Sequence, residues 1–233
     1  MDALIGVAIV SCLLGFFVFL FRLAKRQRAR LAEALAQAGY QAVPHLDSGL
    51  AQTFEALTRG RGKSGPVKNV YRYSGLHYDL YRLDVPGGES DQTRYAMDFR
   101  QPIFPPFAIL PQFKLPGFLS GVVNKLLAMT VSGMDLKEVE VPGKPRFRER
   151  YRLFGAQAHD LLSAIPADVW DRLADLQGHV CLQGRDRLLV LMTMVQPNQR
   201  SAMSPAVDVR KMVETADQLW HIFSVVRPQR QRV

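Results

Sequence analysis

A chain of 233 residues with 48% hydrophobic content can bury one sizeable core, or two small ones, and is too apolar for wholesale disorder. Its net charge of +9 draws partly on the stretch after the N-terminal apolar run and partly on the tail, where Arg227, Arg230 and Arg232 stand in RPQRQR. No helix-turn-helix, zinc-finger or RNP-like pattern accompanies that charge, which argues against nucleic acid and for an anionic membrane surface. Cys12 and Cys181 are far apart and no CxxC occurs, so neither a disulfide framework nor a zinc site is expected, in keeping with a reducing compartment.

The run from Ala3 to Phe21, ALIGVAIVSCLLGFFVFLF, carries no charge. As a helix it spans roughly 29 Å at about 1.5 Å per residue, close to the hydrocarbon thickness of a bilayer. Arg22, Lys25, Arg26, Arg28 and Arg30 follow it, against only Met1 and Asp2 before it. The positive-inside bias then puts the N-terminus outside and the rest of the chain in the cytoplasm. A secretory signal peptide would carry its charge before the apolar run. A buried core helix would not be this long without a charge. Ala8, Ser11 and Gly15 share one helical face, a small-residue pattern for packing on another helix. The expected layout is an anchor with its basic juxtamembrane helix over 1–38, an α+β domain over 39–226, and a basic tail over 227–233.

The helix is expected to continue through Leu31, Leu35 and Ala38 and stop at Gly39. Asp47 or Ser48 caps a short helix ending at Gly60. Gly62-Lys63-Ser64 ends like a phosphate-binding loop, but Leu57 occupies the position of the required glycine and Pro66 follows, so a nucleotide site is rejected. From Val67 the pattern turns to period two. NVYRYSG, LHYDLYRLDV and TRYAMDFRQ read as an antiparallel meander connected at Gly75 and at Pro86-Gly87-Gly88. Tyr71, Tyr73, Tyr78, Tyr81, Tyr95 and Phe99 are read as sheet faces rather than a ligand cage.

Pro102 to Met134 carries only Lys114 and Lys125. FAIL reads as a short strand. Leu119, Val122, Val123, Leu126 and Leu127 form an apolar helical stripe, either core or a surface for a partner or lipid. LKEVEV and FRERYRLFG read as strands. HDLLSAIPADVWDRLADLQG reads as helix broken at Pro166 and stopped at Gly178, and HVCLQG with RLLVLMTMV as a hairpin around Gly184-Arg185-Asp186. A last helix places Val209, Met212, Val213, Ala216, Leu219, Trp220 and Phe223 near one stripe. The fold class is α+β: an N-terminal transmembrane helix, then two antiparallel blocks with helices packed on them.

Gly75 to Leu83, then Phe107-Ala108-Ile109-Leu110-Pro111-Gln112, then Phe147 to Gly155, then Gly184 with Leu188-Leu189, form a series of landmarks. In that order they resemble a family of uncharacterised bacterial single-pass membrane-anchored proteins with a cytoplasmic α+β domain. Gln112 stands where that family's pattern often has an acid. The resemblance implies the topology and carries no activity or catalytic residue.

A search for chemistry returns little. His45, His77, His159, His179 and His221 are isolated, and none stands in HExxH. His77 and Asp79 fall on one strand face, where they could pair, though an exposed strand face explains them as well. Neither Ser74-Gly75 nor Ser132-Gly133 has the glycine of a nucleophile elbow. His159-Asp160 opens a helix, and Glu138 and Glu140 alternate on a wet strand. No catalytic residue, metal ligand or cofactor is assigned. The expected function is a non-catalytic accessory or scaffold subunit of the bacterial inner membrane, bound to the bilayer and to an integral membrane complex. Its contacts are assigned to Arg22–Arg30 and the Leu119–Leu127 stripe. A hydrolase-like membrane enzyme and a lipid-binding domain with a cavity beneath Phe104–Met134 are the alternatives.

Overall fold

Alternation of bulky and polar residues makes strands, and here those strands share a single sheet that buries side chains on both faces. The computed structural model describes residues 2–58, 67–85, 92–100, 103–112, 134–176, 180–193 and 205–226, excluding the side chains of 2–15, 17, 20, 24, 92, 192, 193 and 205–208. The strands are β1 (Gln41–Val43), β2 (Asn69–Ser74), β3 (Tyr78–Val85), β4 (Gln92–Phe99), β5 (Phe104–Pro111), β6 (Lys137–Val139), β7 (Tyr151–Gly155), β8 (Val180–Asp186) and β9 (Leu188–Thr193). The helices are α1 (Asp2–Gln37), α2 (Ser48–Thr58), α3 (Pro145–Arg150), α4 (Ala158–Ala164), α5 (Ala167–Asp175) and α6 (Pro205–Phe223).

The sheet order is β1-β2-β3-β4-β9-β8-β5-β7-β6, with antiparallel pairing throughout. The α+β class holds, but the two expected blocks are one sheet. They are stitched by β4 to β9, with Tyr95 opposite Leu191 and Asp98 opposite Leu188. That pairing joins distant segments and leaves no local periodic signal.

One face packs on the last turns of α1 and on α3–α6. Leu35, Tyr40, Leu80, Met97, Phe104, Phe107, Phe147, Trp170, Leu219 and Phe223 belong to this main core. Each such large apolar side chain contributes roughly 1.5–3 kcal/mol through burial. The opposite face packs on α2, whose Leu50, Phe54 and Leu57 meet Val70, Tyr81, Leu83 and Val85. A smaller cluster on β5, β7 and β8 joins Ala108, Leu110, Phe154 and Cys181.

Local chemistry explains several boundaries. Asp47 caps α2, its Oδ1 accepting the Gly49 N–H at 3.0 Å. Pro166 separates α4 from α5. β5 extends well beyond FAIL, and its register shifts between Phe104 and Phe107, where Pro105 and Pro106 lack the N–H a central strand needs. FRERYRLFG is not one strand. Pro145 opens the short helix α3 around buried Phe147, and β7 begins only at Tyr151. α6 buries Val209, Met212, Ala216, Leu219 and Phe223 as its spacing requires.

Gly39 ends α1 at φ +84. The Tyr40 N–H reaches Leu35 O at 2.8 Å and the Gly39 N–H reaches Ala36 O at 3.0 Å, the paired bonds of a Schellman terminus. Among the described residues no helix is long and apolar enough to cross a membrane, so the expected transmembrane segment is not seen there. The backbone of Ala3–Phe21 is helical within α1.

Candidate functional site

Three features of the fold carry functional interest, and the first is the junction between α1 and the domain. Leu35 is 1% exposed and packs in the main core with Tyr40, while Leu31 and Ala38 lie partly buried against it. The Tyr40 ring sits 5.6 Å from that of Tyr73. Burial first, and the nearby Tyr95 hydroxyl second, raise the Tyr40 hydroxyl pKa above its ordinary value. Beside it, the Tyr78 hydroxyl donates to the Asp217 carboxylate of α6, and its pKa is raised by burial and then by that acid. Upstream of the junction the described side chains of α1 are exposed. Phe16, Val18, Phe19, Phe21 and Leu23 are exposed large apolar side chains, and Arg22, Lys25, Arg26, Arg28 and Arg30 follow on exposed helix.

The second feature is a charged cluster on the α2 face at one end of the sheet. Register places Asp79 of β3 directly opposite Asp98 of β4. The Arg72 guanidinium donates to Asp79 Oδ2 at 2.8 Å, and Arg187 Nε lies 2.8 Å from Asp98 Oδ1 as an ion pair. Both carboxylates are buried while both arginines reach solvent. Burial raises the Asp98 pKa, Asp79 and Asp47 add to the rise, and Arg187 and Arg72 oppose it. Two carboxylates face two guanidiniums here, so the set is formally neutral.

The third feature is an apolar cleft of about 440 Å³ under α2, lined chiefly by Leu46, Ala51, Phe54, Val67, Val70 and Val85, with His45, Glu55 and Thr58 as its polar members. Its described lining residues do not come from the Phe104–Met134 segment, beneath which a lipid cavity was expected, although Met134 packs against the same cluster. Residues 113–133 of that segment, with Leu119, Val122, Val123, Leu126 and Leu127, lie outside the described residues.

The pairing of His77 with Asp79 that a shared strand face allowed does not form. His77 sits in the β2–β3 turn and stacks on Trp220 at 4.2 Å, while Asp79 is taken by Arg72. Glu138 and Glu140 hold arginine partners, Arg152 and Arg148, and hydrogen bonding to Arg152 lowers the Glu138 pKa. Among the described residues no group of three histidine, cysteine or acidic side chains is placed to hold a metal. Cys181 is buried, which pushes its thiol up to about 12, away from nucleophilic use. Sequence reading missed the Asp79–Asp98 set and the Tyr78–Asp217 bond. The first needs the β3–β4 register; the second joins residues 139 positions apart.

No protein-family model matches the chain, and no curated protein matches it. Among solved structures it is similar to one described as the crystal structure of the mycobacterial trehalose monomycolate transport factor A, TtfA. The TM-score is 0.52 at 12% identity, covering 88% of this chain and 98% of that one, a likeness of fold.

Proposed function

We propose that this chain is a membrane-anchored, non-catalytic accessory subunit whose α+β domain serves a complex in the bacterial inner membrane. The observation that carries the reading is α1. Its helical backbone runs from Asp2 into the domain core, exposes large apolar side chains from Phe16 to Leu23, and then exposes the basic residues Arg22 to Arg30. Exposed apolar side chains on a helix call for lipid or a partner helix, and the basic turn after them suits the anionic cytoplasmic leaflet. The N-terminus then lies outside and the domain in the cytoplasm. The membrane-anchored family that the landmarks resemble fits this reading. The similar solved structure is that of a transport factor, which supports an accessory role in transport.

Recovery of a tagged full-length chain in mild detergent tests this, beside a Gly15→Leu variant that blocks the small-residue face of the anchor. The expected result is a stoichiometric membrane protein held by the parent and reduced by the variant. Recovery of the parent chain alone sinks the accessory reading. The cleft under α2 favours a second reading, a domain that binds an apolar ligand; co-purifying lipid identified by mass spectrometry would support it.

A further inference from the structure

We propose that α1 is a rigid strut between anchor and domain, fixing both the distance of the α+β domain from the anchor and its rotation about the helix axis; this rests on the anchor reading above. Composition is the first support. Arg22 to Ala38 reads RLAKRQRARLAEALAQA, made only of alanine, leucine, arginine, lysine, glutamine and glutamate. These residues have the highest helix propensities. No glycine, proline or β-branched residue occurs between Phe19 and Ala38, so the usual causes of a kink are missing there. A linker of this kind is a helical spacer that advances about 1.5 Å per residue, unlike a glycine–serine tether.

The geometry of α1 is the second support. It is unbroken helix from Asp2 to Gln37. Every described side chain from Arg22 to Arg30 is exposed. Lys25 to Arg30 alone point to every side of the axis, so this stretch stands apart from the domain. Contact begins at partly buried Leu31 and is complete at buried Ala34 and Leu35. From Arg22 to Leu31 the axis advances about 14 Å. Repulsion works against this helix, because Arg22, Arg26 and Arg30 stand four residues apart. Both ends compensate. The apolar run continues into the basic turns as helix, and the Schellman bonds at Gly39 close the other end with Leu35 in the core. The basic turns therefore extend an existing helix and need no nucleus of their own. The joint is stiff as well, since α1 packs on α6 and Tyr40 packs on Tyr73. A stiff helix on a stiff joint presents one fixed face of the domain to an integral membrane partner.

The test uses the full chain in phosphatidylglycerol–phosphatidylethanolamine vesicles. Two nitroxides are placed at Leu23→Cys with Gln37→Cys, or at Leu23→Cys with Glu149→Cys, each with Cys12→Ser, and double electron–electron resonance reads their separation. The expected result is one narrow distance for each pair, about 21 Å along the axis for the first. Seven helix-forming residues inserted after Ala29 should lengthen the first pair by about 10 Å without broadening it, whereas a flexible tether grows only as the square root of its length. Arg28→Gly with Ala29→Gly should broaden both distributions severalfold. A parent as broad as this glycine variant, or a lengthening well short of 10 Å, overturns the strut. A narrow first pair with a broad second pair means that the domain swings at the joint, which also overturns it. The anchor is read separately, from a nitroxide on native Cys12 colliding with oxygen or with a water-soluble nickel chelate. A Cys12 label in lipid leaves the anchor standing when the strut fails; a water-exposed label overturns both.

Discussion

Gly39 holds the joint between α1 and the domain, and its replacement isolates one physical effect. Its φ of +84 lies in the left-handed region. A Cβ built there would sit 3.5 Å from the Tyr73 ring, an ordinary contact, so Gly39→Ala adds no clash. The cost is that of forcing an L side chain into left-handed backbone, about 1–2 kcal/mol. The Schellman bonds to Leu35 and Ala36 hold the residue there, so the strain has no local escape. For a chain of this size that energy lowers the melting temperature by about 2–8 °C. Gly39→Asn costs less, because asparagine tolerates the left-handed region. The assay is thermal unfolding of the full chain in detergent, followed through Trp170 in the core and Trp220 on α6. Unchanged melting in Gly39→Ala refutes the backbone argument. An asparagine variant that falls as far as the alanine variant also refutes it, since the cost would then track side-chain volume rather than φ.

The opposite case is Gly184→Ala, where a Cβ would meet a ring carbon of Phe107 at 2.2 Å. Phe107 is fully buried between Phe104 and Phe223, so the ring cannot step aside, and overpacking should cost about 1–3 kcal/mol. Adding Phe107→Leu should recover part of this in urea titration, with a coupling of about 1 kcal/mol or more; additive losses would contradict the contact. Asp98→Asn tests the buried carboxylate. Its folded pKa is raised, mainly by burial, so the wild-type contribution is present below the ordinary aspartate pKa and lost as pH rises through the folded value. The variant should therefore gain on wild type across that window and hold a constant offset above it. A flat difference, or one of opposite slope, would refute the assignment.

Period two along Val67–Phe99 and 3.6-residue spacing along α2, α5 and α6 determine those elements by themselves, because side chains alternate across a strand and recur along one face of a helix. Asp47, Gly39 and Pro166 likewise mark boundaries through chemistry that acts within a few residues. The uncharged Ala3–Phe21 run and the arginines after it are written in the sequence alone and carry the functional proposal. What tertiary structure decided is everything set by register between distant strands. β4 pairs with β9 and fuses two expected blocks into one sheet. Asp79 meets Asp98 only because β3 and β4 align them, and the β2–β3 register gives Asp79 to Arg72 while His77 turns to Trp220. Local pattern fixes which face of a strand is apolar; which strand lies beside it depends on long-range packing, and the charged cluster arises at that level.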